Sequence, residues 1–151
     1  MQKITTFLWF NDQAEQAATF YTSLFAGSRI VEVRRGPGGG VMVVTFELAG
    51  QRFMALNGGP RYTLNEAVSV YVDCETQEEI DELWAALLEG GEESRCGWLK
   101  DRWGLSWQIV PRRLPELLGH PDPAAAERVT KAMLGMQKLD LRALQEAAGE
   151  A

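Results

Sequence analysis

The sequence predicts an α+β fold made of two successive βαβββ modules followed by a helical C-terminal extension. Three observations carry that prediction. The order strand, amphipathic helix, strands occurs twice along the chain. The apolar positions of the two helices coincide when one is shifted by about 63 residues onto the other, so that Ala17, Phe20, Tyr21, Leu24 and Phe25 fall on Ile80, Leu83, Trp84, Leu87 and Leu88. After Pro111 the pattern changes to Leu- and Ala-rich helical spacing. A repeat of this length is too long for a solenoid unit and predicts two copies of one module pairing into a single domain over 1–112, with module 1 at about 1–60, module 2 at about 64–112 and the extension at 113–151.

The first module opens with a strand over 4–10, apolar at nearly every position as in a strand covered on both faces. Asp12-Gln13-Ala14-Glu15 has the spacing of an N-cap with a reciprocating Glu. It predicts a helix with Ala14, Ala17, Ala18, Tyr21, Leu24 and Phe25 on one face, stopped at Gly27. Strands over 29–35, 41–48 and 51–57 follow, separated by Gly36-Pro37-Gly38-Gly39-Gly40 and by Ala49-Gly50.

The second module repeats the logic. Residues 67–73 alternate strictly, Thr76-Gln77-Glu78-Glu79 forms a second capping box, and Gly90-Gly91 terminates the helix that carries Ile80, Leu83, Trp84, Leu87 and Leu88. Strands over 93–100 and 105–110 are joined at Asp101-Arg102-Trp103-Gly104, a hairpin turn with Gly last. One strand of this copy is missing or very short. Beyond it, helices are predicted over 114–118, 124–136 and 139–148, the middle one opened by Asp122-Pro123 as N-cap and first helical residue. Leu117, Leu118, Val129, Met133, Leu134, Leu139, Leu141 and Leu144 need a surface to cover, on the same domain or on a two-fold partner.

Composition narrows the function classes. With 15 Lys+Arg against 21 Asp+Glu the chain lacks the clustered basic surface that nucleic-acid binding requires; its best basic cluster is Arg34-Arg35. No stretch approaches the roughly 20 apolar residues of a membrane span and the N-terminus is too short an apolar run for a signal peptide, so the expectation is a cytoplasmic protein without nucleic-acid or membrane partners. Cys74 and Cys96 are too far apart for a CxxC pattern and read as packed thiols. The single His, His120, lies in a Pro-rich loop and excludes any centre needing two imidazoles. The pairs Glu78-Glu79 and Glu92-Glu93 read as solvated charge.

The combination of motifs resembles a known family. Phe7-Leu8-Trp9-Phe10-Asn11 leading to Phe20-Tyr21-Thr22-Ser23-Leu24-Phe25, then Phe53-Met54-Ala55-Leu56-Asn57-Gly58-Gly59-Pro60 and Asn65-Glu66-Ala67-Val68-Ser69, resemble PhnB-like proteins. So do Asp73-Cys74-Glu75-Thr76-Gln77-Glu78-Glu79 and Cys96-Gly97-Trp98-Leu99-Lys100-Asp101 with Gly104-Leu105-Ser106-Trp107-Gln108. These proteins belong to the vicinal oxygen chelate superfamily, with glyoxalase I, extradiol dioxygenases and bleomycin-resistance proteins. The resemblance implies the glyoxalase-like fold, paired βαβββ modules around a cupped pocket, commonly as a homodimer. Sequences of this kind carry the name 3-demethylubiquinone-9 3-methyltransferase. A Rossmann-type methyltransferase needs its Gly-rich turn between a strand and a helix, whereas Gly36 to Gly40 here precede the strand-like Val41-Met42-Val43-Val44-Thr45-Phe46 and read as a hairpin loop.

The superfamily's chemistry resembles Lewis-acid catalysis at a divalent ion held by His and Glu on facing strands. Carried over by position, the ligand places fall on Thr5, on Ala67 and on Gln108, which stands where related proteins have Glu; Met54-Ala55-Leu56-Asn57 offers no carboxylate. A hydroxyl, a methyl and a neutral amide are poor partners for Zn²⁺, Ni²⁺ or Fe²⁺, so the expectation is that this chain has neither the metal site nor another cofactor.

If Thr5 and Gln108 point inward, period-two alternation puts Phe7, Trp9, Ser69, Tyr71 and Ser106 on the same face and Leu8, Phe10, Val68, Val70 and Val72 against the helices. The first set, with Asn57 at the end of its strand, has the composition of a small-molecule pocket: apolar walls with a few polar groups. Trp9 and Tyr71 serve equally as core, Trp84 belongs to the core, Trp98, Trp103 and Trp107 stiffen the last hairpin by cross-strand contacts with ligand stacking as the second reading, and Asn57 also suits a turn before Gly58-Gly59-Pro60. Two functional readings follow. One is a superfamily enzyme acting on a small molecule without the usual metal; the other is a binding protein for a drug or aromatic metabolite, resembling the bleomycin-resistance proteins.

Overall fold

Alternating apolar residues in the first part of the chain form β1 (Thr6–Phe10), β2 (Arg29–Arg35), β3 (Val41–Leu48) and β4 (Gln51–Asn57), with α1 (Ala14–Leu24) crossing between β1 and β2. The coordinates are a computed structural model that describes residues 2–150, and the chain divides into two units between Leu64 and Asn65. In the first unit the sheet order is β1-β4-β3-β2, with β1 parallel to β4 and the remaining pairs antiparallel. Leu8, Phe10, Val44, Phe46, Phe53 and Ala55 are buried on one side of this sheet, as are Ala14, Ala17, Ala18 and Tyr21 of α1. The Tyr21 and Phe46 rings lie 6.2 Å apart and Phe46 stacks on Phe53 at 5.4 Å. The glycine-rich run is a hairpin loop between β2 and β3, closed by Gly36 N–H donating to Gly40 O at 2.9 Å.

The cap of α1 departs from the expectation. Asp12 does not cap the helix; Gln13 occupies the N-cap without a side-chain hydrogen bond. The N–H of Ala14 instead donates to Asn57 Oδ1 at 2.8 Å, and Asn57 Nδ2 donates to Val41 O at 3.1 Å. A residue at the end of β4 thus satisfies one of the orphan donors of a helix more than forty positions earlier in the chain.

The second unit repeats the topology with β5 (Ser69–Cys74), α2 (Gln77–Leu88), β6 (Glu92–Glu93), β7 (Trp98–Lys100) and β8 (Ser106–Pro111), in the order β5-β8-β7-β6 with β5 parallel to β8. The first half of the second capping box forms, Glu79 N–H donating to Thr76 Oγ1 at 3.2 Å, while the Glu79 carboxylate accepts from the N–H of Glu75, one residue before the N-cap, at 3.3 Å. The strand expected over 93–100 is two strands. A turn around Cys96 and Gly97, both at positive φ (57° and 85°), separates β6 from β7, so β6 is the short fourth strand of this copy. Gly91 makes β6 possible, because a Cβ there would lie 2.0 Å from Lys100 O. Cys74 is fully buried, and that burial, ahead of the neighbouring Glu79 and Asp73 carboxylates, pushes its thiol up to about 12, consistent with a packed residue.

The hairpin between β7 and β8 is organised by Asp101. Its Oδ1 accepts from Trp103 N–H at 2.9 Å and Leu105 N–H at 3.1 Å, and its Oδ2 accepts from the indole N–H of fully buried Trp107 at 2.9 Å.

The extension forms α3 (Leu114–Leu118), α4 (Pro123–Leu134) and α5 (Leu141–Ala147) and belongs to the second unit. Val110, Leu114, Leu117, Val129, Leu139 and Leu144 are its core. Gln77 of α2 clamps it, donating to Leu139 O at 3.0 Å and accepting from Leu141 N–H at 2.8 Å. Cys96 and Gly97 N–H donate to Met136 O and Gln137 O. Asp122 caps α4 through Ala124 N–H, and His120 Nδ1 accepts from Asp122 N–H in the loop before it. Leu134, expected to be covered, is 57% exposed. Among the described residues no helix is long and apolar enough to cross a membrane.

Replacing Asp101 by Ala leaves three donors without their acceptor. The Asp101→Ala variant is expected to lose about 3 kcal/mol in urea unfolding. A loss below about 1 kcal/mol would show that the hairpin closes without this carboxylate.

Candidate functional site

Each sheet has one face covered by its helix and one open face, and the residues predicted for the pocket divide between the two open faces. In the first unit Phe7 (52% exposed) and Trp9 alternate away from α1. The register pairs Phe7 with Met54 and Trp9 with Leu56, and Thr5 lies half-buried just before the strand. Trp9 is engaged with its own loop. Its Nε1 donates to Gly59 O at 2.9 Å, Tyr62 meets it edge-on at 4.9 Å, and its ring covers Gly58 so closely that a Cβ there would be 2.4 Å away. Asn57 is not brought together with Phe7 and Trp9. It is the partner of buried Phe10, and both ends of its amide are committed to α1 and β3.

In the second unit the register places Ser69 opposite Ser106 and Ser106 opposite Lys100, with Tyr71 opposite Gln108 and Gln108 opposite Trp98. Directly opposed residues share a face, so these six side chains form two adjacent rows on the open side of the sheet. Gln108 Nε2 donates to Ser69 Oγ at 2.8 Å. Lys100 Nζ pairs with Glu66 Oε2 at 2.7 Å. That hydrogen bond holds the Glu66 carboxyl below its ordinary range and raises Lys100, to which Glu92 adds a weaker attraction. Tyr71 is 51% exposed, and its phenol is raised by partial desolvation and then by Asp73 and Cys74.

Ser106 carries the one buried side-chain polar atom without a hydrogen-bond partner among the described residues. It is 1% exposed. It lines a cleft of about 290 Å³ together with Glu66, Trp98 and Lys100. Buried hydroxyls are ordinarily hydrogen-bonded, so an unpaired one at a cleft marks a position where a ligand atom completes the set. Glu66 and Lys100 were absent from the predicted pocket. The signal for Lys100 was available: a hairpin closed by Asp101 and Gly104 makes Lys100 the partner of Ser106 and so puts it on the face already assigned to Ser106.

Comparison with known proteins follows the same boundaries. The sequence profile of the family described as 3-demethylubiquinone-9 3-methyltransferase matches residues 2–110. A solved structure of a PhnB protein from Bacillus cereus is 41% identical, with 73% of this chain covering 99% of that one at a TM-score of 0.68. The chain belongs to this PhnB-like family. A Pseudomonas aeruginosa protein (18% identity, TM-score 0.61, covering 74% of this chain and 98% of that one) shares the fold. So does a second Bacillus cereus protein, described as a possible glyoxalase (16% identity, TM-score 0.50, covering 71% and 96%). A search of curated proteins returns no match.

The divalent ion implied by the resemblance to the vicinal oxygen chelate superfamily does not suit the residues present. Gln108 offers a neutral amide oxygen in place of a carboxylate, Ala67 has no donor atom in its side chain, and Thr5 offers one neutral hydroxyl. Among the described residues no group of three His, Cys, Asp or Glu side chains converges to hold a metal. Nor does the methyltransferase name find its phosphate-type glycine turn, since Gly36 to Gly40 join two antiparallel strands.

The two candidate caps of α1 separate cleanly by mutation. Asn57→Ala is expected to cost about 1–2 kcal/mol in thermal or urea unfolding, and Asp12→Ala less than about 0.5 kcal/mol. The reverse order would restore Asp12 as the cap.

Proposed function

We propose that this PhnB-like chain binds a small molecule on the open face of its second unit and holds it by hydrogen bonds and aromatic contact, not by metal coordination. The buried hydroxyl of Ser106, unpartnered among the described residues, carries the reading, because a polar group without a partner costs stability that a hydrogen-bonding ligand in the adjacent cleft recovers. Gln108 and Ser69 supply a second polar anchor beside it; the amide oxygen of Gln108 accepts while its nitrogen keeps Ser69 oriented. Trp98 gives the wall an aromatic surface. Apolar walls with a few placed polar groups are the usual composition of a small-molecule site.

Binding is favoured over catalysis by the chemistry of the face. Its strongest ionisable pair, Lys100 with Glu66, is locked at 2.7 Å, and the Tyr71 phenol is shifted away from neutral pH. Neither is poised as a general base near pH 7.

A site that gives up stability for binding shows both effects in one variant. Ser106→Ala is expected to keep or raise stability by up to about 1 kcal/mol while abolishing the tryptophan fluorescence response to a panel of small aromatic compounds. Gln108→Ala is expected to weaken the same response. If wild type responds to no compound, or Ser106→Ala responds undiminished, the face is not the binding site.

A further inference from the structure

The reading of this face as a small-molecule site leaves open the kind of molecule. We infer that the cleft beside Lys100 takes a small organic cation, a protonated amine or guanidinium on an apolar frame. The inference rests on that reading and deepens it.

The charges around the cleft decide its sign. Glu66, Glu92 and Glu93 line it against one cation, Lys100. Lys100 is neutralised by Glu66 at 2.7 Å, which leaves Glu92 and Glu93 as the uncompensated charges. Both are exposed and neither forms an ion pair among the described residues. Their position is built into the backbone. Gly91 allows β6 to press against the Lys100 and Asp101 main chain, and the register sets Glu92 directly opposite Lys100, on the face that carries Ser106, whereas Glu93 opposes buried Leu99 and borders the cleft from the other side of the strand.

Two uncharged groups favour the same ligand. Trp98 presents an aromatic surface in the cleft, and a cation near such a ring is attracted by its quadrupole. The Ser106 hydroxyl is buried, unpaired and on the cleft wall, and its oxygen lone pairs accept from an N–H donor. An anionic ligand would have to displace Glu66 from Lys100 and then face Glu92 and Glu93, which oppose it.

Three probes of similar frame and different charge test this on the full-length protein: phenethylammonium, 3-phenylpropionate and neutral 2-phenylethanol, by isothermal titration at low salt. Phenethylammonium is expected to bind at least tenfold more tightly than 3-phenylpropionate. Its affinity should fall several-fold between about 20 and 200 mM salt as screening grows. Glu92→Gln, an exposed substitution that keeps shape, should weaken it by about fivefold and Glu93→Gln by less, with unchanged melting temperature in the absence of ligand. Equal or tighter binding of 3-phenylpropionate or 2-phenylethanol overturns the cation assignment and leaves the small-molecule site standing. Failure of all three probes, together with a wider aromatic panel, overturns both.

Discussion

Parallel pairing between the first and last strand of each unit is the constraint from which the rest of the structure follows. β1 runs beside β4 and β5 beside β8, so each pair must be joined by a crossover that includes a helix and two further strands. The helix covers one face of the sheet and leaves the other open. The same pairing sets Ser69 against Ser106 and Tyr71 against Gln108, and it delivers Asn57 to the start of α1. Side chains far apart in sequence become neighbours because the topology admits no other register with the apolar face buried.

Within this shared topology the two units have diverged in what their open faces do. In the first, Trp9 is absorbed into the scaffold, its indole bonded to Gly59 and its ring laid over Gly58. In the second, Asp101 takes the bonding capacity of Trp107 into the hairpin and so fixes β7 against β8, while Ser106 on the open face has no partner among the described residues. Of the positions to which the resemblance carries metal ligands, Gln108 hydrogen-bonds to its cross-strand neighbour Ser69 and Ala67 has no donor atom.

Local signals in the sequence were sufficient for most elements. Thr76 and Glu79 marked the start of α2, Asp122-Pro123 that of α4, and Asp101 to Gly104 the hairpin, since each depends on residues within four positions of one another. Alternation sorted the faces of β1, where Leu8 and Phe10 are buried while Phe7 is half exposed, so that strand is covered on one face and not on both; Val68, expected against the helix, precedes β5 and is 62% exposed. What escaped depends on distant contacts. Asp12 has the spacing of a cap, yet Asn57 arrives from β4 to take the role, and no local pattern records that competition. β6 is too short to show a period, and its existence rests on Gly91 meeting the backbone of Lys100. The Glu66–Lys100 pair links a loop to a strand and follows only from the finished register.

Metal content tests most directly whether hydrogen bonding has replaced coordination on the second open face. The full-length protein, equilibrated with Zn²⁺, Ni²⁺ or Fe²⁺ and then desalted, is predicted to retain far less than one ion per chain by mass spectrometric elemental analysis. About one ion per chain, lost in Gln108→Ala, would contradict this and return the site to Lewis-acid chemistry.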